Sequence, residues 1–531
     1  MSEMTEQELV TLTIEDTEVS VPKGTTILQA AKTAGIRIPH YCYHPGLPVA
    51  GVCRMCLVEI EGVPNLQVSC ASIAQDGQKV HVYSEKAKKA RRGVMEFLLI
   101  NHPLDCPICD QAGECKLQDF AFEEARADSR YTPDYAKRFD PVEDFGGDIV
   151  YVQNRCIMCT RCVRFMEHLA GDRIISVQER GDRAFIGVHH DQALDHPWAG
   201  NVVDLCPVGS LLSKDFLHKA RAWELDQTES ICPGCSQGCN IDIETLGNTV
   251  ARIRPRHNPE VNRYFMCDVG RAEYKKLNAP DRIEFPSVKE GDGQMRVGWD
   301  AALDKAATII NGSGGRAVAL VSPTVSTEAL FLLKEVLSGL EFTGAFRVSM
   351  VKGEVPLPGV ENLALREERA PNASAARMLG YSEDFDSALK AIDGASVLVV
   401  LGDSLEDLPD DVTSGAANVI YIGTVLPDLA RTADVVLPST TLAEEDGSFV
   451  NRDGRAQRYS CAKAAPGEAR ASWHSLSELN ARLDRGDAVT SAADAFALIA
   501  ARETAFQGLS YEILGNAGAK ISDNHMTGGG E

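Results

Sequence analysis

The sequence predicts a multidomain protein that is α+β over roughly its first 280 residues and α/β beyond about residue 285. Its 531 residues are too many for a single hydrophobic core. Of its 16 cysteines, all but Cys461 lie in four groups before residue 268, among short strand-like segments. After residue 285, apolar segments alternate with helical patterns, which indicates a parallel sheet.

The first 84 residues have the pattern of a small β-grasp ferredoxin domain. Residues 10–21 mostly alternate apolar and polar side chains, which predicts a hairpin with its turn near Glu15 and Asp16. Thr25 or Thr26 can cap a short helix that ends at Gly35. Strands are expected at residues 56–61 and 79–84. Two strands, a helix and two more strands complete that pattern.

Three further segments are expected before the α/β region. Residues 85–143 begin with a helix over 85–101, which is basic at first and then apolar. A stretch rich in proline and charge at 128–147 is expected to be a linker. Residues 144–221 should form a second ferredoxin-like domain, and residues 222–284 should contain short strands at 240–244 and 249–253.

The α/β region is expected over residues 285–500, followed by a C-terminal tail over 501–531 that is disordered from His525. One dense glycine run, Gly312 to Gly315, precedes a strand, whereas a dinucleotide-binding loop follows a strand and opens a helix. We therefore expect no nicotinamide or flavin site on this chain. The predicted strands are 317–322, 397–401, 419–422 and 435–437, with a helix over 327–340.

Charge and hydropathy exclude several classes of function. A formal charge of −23, from 76 acidic and 53 basic residues, argues against a nucleic-acid binder. No stretch reaches the roughly 18 apolar residues of a membrane span, and residues 1–10 lack the features of a signal peptide. We therefore expect a reducing compartment, where Cys-x-x-Cys patterns indicate metal or redox chemistry more often than disulfides.

The first cysteine group predicts a 2Fe–2S cluster. Its middle pair, Cys53 and Cys56, matches the Cys-x2-Cys of plant-type sites, but the gap after Cys42 is wider than usual. A structural zinc ion also accepts four thiolates. The ferredoxin-like setting favours 2Fe–2S. The four predicted ligands are Cys42, Cys53, Cys56 and Cys70.

The second group combines His102 with three cysteines and predicts a 4Fe–4S cluster. His102 lies between the end of a predicted helix and Pro103, and three cysteines need a fourth ligand. A neutral imidazole in place of a thiolate makes the cluster one charge less negative and easier to reduce. Zinc with three cysteines and one histidine is the competing interpretation. The four residues are His102, Cys106, Cys109 and Cys115.

The third group contains the Cys-x2-Cys-x2-Cys run of bacterial ferredoxins at Cys156, Cys159 and Cys162. Met166 stands where that run has its next cysteine, and the Cys-Pro pair occurs instead at Cys206. In two-cluster ferredoxins the fourth cysteine of a run serves the other cluster. Its loss, with the remote Cys206 kept, predicts a single 4Fe–4S cluster.

The fourth group has the spacing that opens molybdopterin-type oxidoreductases, Cys-x2-Cys-x3-Cys-x27-Cys. Zinc is possible here too, but the surrounding strands favour a 4Fe–4S cluster. The predicted ligands are Cys232, Cys235, Cys239 and Cys267. Cys461 is interpreted as an ordinary thiol.

These motifs closely resemble the large iron–sulfur subunits of respiratory complex I, the G subunits of bacterial NADH:quinone oxidoreductase. The resemblance covers residues 1 to about 280 with high specificity and continues more weakly through 433–438 and 444–455, which are similar to the C-terminal part of the molybdopterin fold. The residues that carry it are Asn101-His102-Pro103-Leu104-Asp105-Cys106-Pro107-Ile108-Cys109-Asp110, Gly113-Glu114-Cys115, Arg155-Cys156-Ile157-Met158-Cys159-Thr160-Arg161-Cys162 and Asp204-Leu205-Cys206-Pro207-Val208-Gly209.

The resemblance implies one 2Fe–2S cluster at the first group and 4Fe–4S clusters at the other three. It implies an electron-transfer subunit with no catalytic residue or substrate site of its own. Electrons would come from a flavoprotein NADH-oxidising subunit, follow the order first, third and second group, and leave for a ferredoxin-type 4Fe–4S subunit. In the family the fourth cluster lies off this path.

The same resemblance implies other peripheral-arm subunits as partners and a place on the cytoplasmic side of the bacterial inner membrane. The chain departs from the family in length. Roughly 215 residues form the expected α/β region, fewer than G subunits commonly have. A reduced sheet without molybdopterin is therefore expected.

Two other classes of function remain to be compared. One is the iron–sulfur subunit of a soluble NAD-dependent formate dehydrogenase or hydrogenase. A molybdenum enzyme needs a ligand after the fourth group, but no cysteine lies between Cys267 and Cys461. An iron hydrogenase needs further cysteines. The other class is a non-redox scaffold with four zinc ions, which would be colourless and free of acid-labile sulfide.

Overall fold

The computed structural model describes residues 8–131, 136, 139, 142–189, 192–291, 293–403, 405, 408 and 412–521. The chain divides into two compact units. The first comprises Met1–Glu224 with Leu357–Glu361, and the second comprises Leu225–Pro356 with Asn362–Glu531. In the described part of the chain, no helix is both long and apolar enough to cross a membrane.

The first unit contains ten strands and five α-helices among its described residues. The strands are β1 Leu9–Ile14, β2 Thr17–Pro22, β3 Leu57–Ile60, β4 Gln67–Val68, β5 Lys79–His81, β6 Glu143–Gly146, β7 Ile149–Tyr151, β8 Ile175–Gln178, β9 Phe185–Val188 and β10 Leu211–Ser213. The helices are α1 Ile27–Thr33, α2 Glu85–Ile100, α3 Lys116–Glu124, α4 Arg161–Phe165 and α5 Asn201–Leu205.

The predicted β-grasp pattern is confirmed at the N-terminus. Strands β1 and β2 pair as an antiparallel hairpin, and β1 pairs in parallel with β5 in a sheet of order β2-β1-β5-β3-β4. Thr26 caps α1 in a capping box with Gln29, and Gly35 has φ +72° just beyond the helix. The short β4 is the one strand of this sheet that the sequence pattern did not predict.

The second half of the first unit is built from short elements around ligand loops. Antiparallel β6 and β7 join β10, and β8 pairs with β9. The expected linker at 128–147 overlaps β6, so a strand begins before that stretch ends. Residues 132–135, 137, 138, 140 and 141 of that stretch lie outside the described residues. One apolar core includes Tyr41, Met95, Phe120 and Val208, and packs against cysteines of the first three groups.

The second unit contains fifteen strands and ten α-helices among its described residues. The strands are β11 Asp226–Ile231, β12 Asn240–Leu246, β13 Thr249–Pro255, β14 Ser287–Glu290, β15 Gly293–Arg296, β16 Arg316–Val321, β17 Glu341–Phe346, β18 Val355–Pro356, β19 Ala364–Leu365, β20 Val397–Leu401, β21 Val419–Gly423, β22 Val435–Pro438, β23 Gly447–Val450, β24 Arg455–Tyr459 and β25 Ala519–Lys520. The helices are α6 Asp268–Ala272, α7 Tyr274–Leu277, α8 Trp299–Gly312, α9 Thr327–Val336, α10 Ala373–Met378, α11 Phe385–Ala391, α12 Asp428–Arg431, α13 Ser472–Arg482, α14 Ala492–Arg502 and α15 Tyr511–Leu514.

The α/β prediction is confirmed by a seven-stranded sheet of order β15-β14-β22-β21-β20-β16-β17. Strands β22, β21, β20, β16 and β17 are parallel, and β14 and β15 add an antiparallel edge. The central strands β20 and β21 are buried throughout, as expected for a sheet covered on both faces. The glycine run lies between α8 and β16, before a strand as predicted.

The expected C-terminal tail is wrong for residues 501–521. This segment contains α15 and β25, and β25 pairs with β24 through Ala519 and Lys520. Leu514 and Ile521 are buried in the main core of the second unit. The few apolar residues of this segment do not predict a folded structure by themselves, because they are buried by residues distant in the sequence. Residues 522–531, including the end predicted to be disordered, lie outside the described residues.

Candidate metal centres

The first cysteine group comes together between the end of α1 and the end of β4. Cys42, Cys56 and Cys70 are buried, and Cys53 is half-buried. The N–H of Cys42 donates to Sγ of Cys53 over 3.5 Å. Thiol hydrogen bonds lower the pKa of Cys42 and Cys56 and raise that of Cys53 and Cys70. All four predicted ligands therefore form one connected set.

The second group is arranged after α2 and before α3. Cys106 is exposed, Cys109 is buried, and Cys115 and His102 are half-buried. Burial raises the pKa of Cys115 to about 11, and the nearby thiols of Cys109 and Cys106 contribute to the increase. The N–H of His102 donates to the carbonyl of Leu99 over 3.2 Å. The three cysteines thus act on one another, and the role of His102 as fourth ligand stays a prediction.

The second and third groups are in close contact. The N–H of Lys116, directly after Cys115, donates to the carbonyl of Pro207 over 3.0 Å. A Cβ at Gly209 would overlap Sγ of Cys109. Only glycine therefore lets the chain after Cys206 pass this thiol.

The third group surrounds a cavity. Cys156, Cys159, Cys162 and Cys206 all line one small pocket, together with apolar side chains that include Ile157 and Val208. Burial raises the pKa of all four thiols. The structure therefore places the distant Cys206 beside the three cysteines of the ferredoxin run, and their role as ligands of one cluster stays a prediction.

A main-chain N–H group points at a sulfur atom of the third group. The N–H of Met158 donates to Sγ of Cys156 over 3.4 Å. Met158 and Thr160 have φ of +52° and +58°, a strained conformation for residues with a side chain. Hydrogen bonds of this kind stabilise charge on cluster sulfur atoms. The strain is thus located where the loop has to wrap around its cysteines.

The fourth group lies in the second unit, in the loop that joins β11 to β12 and at the start of α6. Cys232, Cys235, Cys239 and Cys267 are all buried. The N–H of Cys232 donates to the carbonyl of Cys239 over 2.8 Å, which closes the loop. A Cβ at Gly270 would lie 2.9 Å from Sγ of Cys232 and 3.7 Å from that of Cys267. The four thiols therefore also form one buried set.

The donor sets of the first, third and fourth groups, four cysteines each, are of the kind that iron–sulfur clusters bind. Within the described residues, no group of three or more His, Cys, Asp or Glu side chains is arranged to hold a single metal ion. Four cysteines and apolar side chains line the pocket of the third group, a lining that suits an iron–sulfur cluster.

Two buried arginines beside the third group were missed in the sequence. Arg161 and Arg164 are 3% and 7% exposed and lie on α4, which carries Cys162. The nearby Lys116 has its pKa lowered to about 8 by burial and by the charge of Arg161. The available signal was the spacing of the arginines, three apart around Cys162 on a short helix. Cys461 is exposed and donates to the carbonyl of Lys463 over 3.2 Å.

Five family models match the chain in an order that follows the four cysteine groups. Residues 7–85 match the 2Fe-2S iron-sulfur cluster binding domain, and residues 91–130 match the NADH-ubiquinone oxidoreductase-G iron-sulfur binding region. Residues 146–212 match the ferredoxin-like domain of NADH-quinone oxidoreductase subunit 3. Residues 225–279 match the molybdopterin oxidoreductase Fe4S4 domain, and residues 372–482 match molybdopterin oxidoreductase. This domain order agrees with the predicted fold class.

The curated relatives are named as subunits of NADH-quinone or NADH-ubiquinone oxidoreductases. The G subunit of NADH-quinone oxidoreductase from Rickettsia felis is 41% identical over 333 residues, which are 62% of this chain and 49% of that protein. The mitochondrial NADH-ubiquinone oxidoreductase 78 kDa subunit of Neurospora crassa is 39% identical over 402 residues, 74% of this chain and 51% of that protein. The chain spans about half the length of the curated relatives it matches.

A solved NAD+-reducing NiFe hydrogenase in the H2-reduced state is also similar. The aligned residues are 32% identical and make up 40% of this chain and 90% of the hydrogenase chain, with a TM-score of 0.36. A superposition of this extent does not bear on the function.

Proposed function

Because the chain is a homologue of the G subunit of NADH-quinone oxidoreductase over 333 residues, we propose that it is an electron-transfer subunit of such an enzyme. It would carry electrons from an FMN-bearing NADH-oxidising subunit toward a downstream ferredoxin-type 4Fe–4S subunit of the quinone-reducing module. The proposal includes other peripheral-arm subunits as partners and a place on the cytoplasmic side of the bacterial inner membrane. This chain would supply neither a substrate site nor a catalytic residue.

The cofactors proposed are one 2Fe–2S cluster and three 4Fe–4S clusters. Such clusters supply one-electron carriers whose potentials depend on ligands, hydrogen bonds and exposure. The 2Fe–2S ligands are Cys42, Cys53, Cys56 and Cys70. The 4Fe–4S ligands are His102, Cys106, Cys109 and Cys115 in the second group, Cys156, Cys159, Cys162 and Cys206 in the third, and Cys232, Cys235, Cys239 and Cys267 in the fourth. We propose no molybdopterin.

The observation that carries this proposal is the contact between three cysteine groups within the first unit. Arg164 donates to the carbonyls of both Cys42, in the first group, and Cys159, in the third. Lys116 links the chain beside Cys115 to that beside Cys206. The third group therefore touches both others, which supports the order first, third and second group for the relay.

The residues around the third group favour fast electron exchange. Buried apolar walls exclude water from the third group, so little solvent has to reorganise when its charge changes. The fixed N–H donor of Met158 stabilises charge on Sγ of Cys156, so solvent does not have to reorganise to do so. The exposed Cys106 places the second group nearest to solvent, which suits a site that meets a partner protein.

A stepwise reductive titration of the purified full chain, followed by electron paramagnetic resonance, tests the relay. We expect separate one-electron signals from a 2Fe–2S centre and from 4Fe–4S centres, each with its own midpoint potential. A protein that stays silent after complete reduction with dithionite would contradict the proposal. Molybdenum bound to the chain would favour the formate dehydrogenase alternative.

A further inference from the structure

Arg161 and Arg164 join the loops of the first and third cysteine groups. Arg164 donates to the carbonyls of Cys42 and Pro48 in the first loop and, over 3.3 Å, to that of Cys159 in the third. Arg161 donates to the carbonyl of Tyr43 in the first loop. The two guanidinium groups are thus a direct physical connection between the two groups.

A second contact fixes the remote ligand of the third group. Arg161 also donates to the carbonyl of Leu205 over 3.1 Å, and Leu205 directly precedes Cys206. The same side chain therefore holds the first loop and the segment that delivers the last cysteine of the third group.

Within the part of the chain that the structure describes, the two positive charges lack a carboxylate partner. The hydrogen-bond acceptors of Arg161 there are main-chain carbonyls, and its Nε is buried with no hydrogen-bond partner. Among the described residues, no Asp or Glu forms an ion pair with Arg161 or Arg164. A buried charge without a counter-charge is costly. The ionisable groups of opposite sign nearest to them are cysteine thiols, chiefly Cys159 and Cys206 for Arg161 and Cys159 and Cys42 for Arg164.

We propose that Arg161 and Arg164 are positioning residues whose charge balances the clusters of the first and third groups together. The inference rests on the proposed function. A cluster held by either group would gain one negative charge on accepting one electron from the proposed flavin-bearing donor. A fixed positive charge favours that reduced state at both groups. The arginines thereby raise both midpoint potentials and hold the two ligand loops in fixed positions relative to each other.

The effect should be large because the pair is buried. A charge in a water-excluded site acts at a much lower effective dielectric constant than one on the surface. A charge on the surface is screened by solvent and salt. Arg173 has the same charge, and its side chain is 82% exposed beside Glu167, so it offers a matched control in the same unit.

The test compares midpoint potentials of the anaerobically purified full chain, measured by paramagnetic resonance during a redox titration. Arg164→Gln and Arg161→Gln should each make reduction at both groups at least about tenfold less favourable, a shift of about 59 mV for one electron. Arg164→Lys, which keeps the charge, should stay near the wild-type values. Arg173→Gln should match the wild type.

Each other outcome is also informative. If both glutamine variants keep wild-type potentials, or move them no further than Arg173→Gln, the proposal is wrong. If the glutamine variants lose iron but Arg164→Lys retains it, the requirement for charge is supported. If the lysine variant loses iron as well, hydrogen bonds rather than charge are needed, and the electrostatic claim is overturned. Missing cluster signals in the wild type would refute the proposed function instead.

Discussion

Glycine residues determine how closely the backbone approaches several of the cysteines. Gly209 and Gly270 have ordinary φ values, so their role is one of space rather than backbone conformation. A side chain at either position would run into a thiol, Cys109 in one case and Cys232 in the other. A thiolate held by iron cannot move aside as a surface side chain would. The two sites therefore require glycine at these positions, just as they require their cysteines.

Gly209→Ala should remove the cluster of the second group. The new Cβ would overlap Sγ of Cys109 and lie 3.0 Å from Cβ of Gln111, so the thiol has to leave its place. We expect iron content to fall by about four atoms, the number in one 4Fe–4S cluster. Gly93→Ala in α2 is the matched control, since nothing lies within 4 Å of a Cβ there. Full iron content in Gly209→Ala would contradict this steric role.

His102→Cys should lower the midpoint potential of the second group. The substitution exchanges a neutral imidazole for a thiolate and adds one negative charge to the site. The shift is measured by redox titration of the 4Fe–4S signals. Asn101→Cys, one residue earlier, should leave the potential unchanged. An unchanged potential in His102→Cys would show that the imidazole is not a ligand.

At the scale of elements, a buried acidic network ties α9 to β23 and α15. Glu328 accepts hydrogen bonds from the N–H of Ser448 over 3.0 Å and from the hydroxyl of Tyr511 over 2.8 Å. Burial raises the pKa of Glu328 to about 7 and that of the nearby Glu445 to about 8. The folded chain therefore holds protons at a pH where the unfolded chain has released them.

The stability of the second unit should fall as pH rises from about 5 to 8. Unfolded glutamate ionises near pH 4.3, so the folded state binds more protons across this range, and each such group lowers the free energy of unfolding by up to about 1.4 kcal/mol per pH unit. Glu328→Gln should flatten the dependence of the thermal midpoint on pH. A variant with the wild-type slope would show that Glu328 is already ionised at pH 5.

The segment after α14 should contribute to stability. Leu514 is 1% exposed in the main core, so Leu514→Ala should lower the free energy of unfolding by about 2–5 kcal/mol. Ile513, its neighbour, is 57% exposed, and Ile513→Ala should change stability by less than about 0.5 kcal/mol. Thermal unfolding followed by circular dichroism compares the two. Equal effects would contradict the packing of this segment.

Elements with a strong local signal could be predicted, and those fixed by distant contacts could not. The hairpin at 10–21 and the strand at 397–401 follow from alternation and from a continuous apolar run. The folded segment at 501–521 depends on pairing with β24, which lies far earlier in the chain. Local pattern has no access to such pairing.

The same distinction applies to the sites. Most of the proposed ligands could be grouped from the sequence because they lie close together in short loops, whereas the remote Cys206 and Cys267 were assigned from the longer motifs. Gly209 and the two arginines gain their roles only when the third group folds against the first and second. A charged residue in a sequence is normally expected on the surface, so the spacing of the two arginines around Cys162 does not by itself show that Arg164 is buried.

At the scale of the whole molecule, the four cysteine groups divide between the two units. Three share the first unit, where direct contacts connect them, and the fourth has its own buried loop in the second unit. We interpret the first unit as the conducting part of the chain and the fourth group as a separate centre.

The most direct test of this account is the metal and acid-labile sulfide content of the full chain purified without oxygen. If all four clusters are filled, each protein should hold about 14 iron atoms with an equal amount of acid-labile sulfide. The protein should be brown and free of stoichiometric zinc. A colourless protein with about four zinc ions and no sulfide would contradict the central claim that this chain conducts electrons.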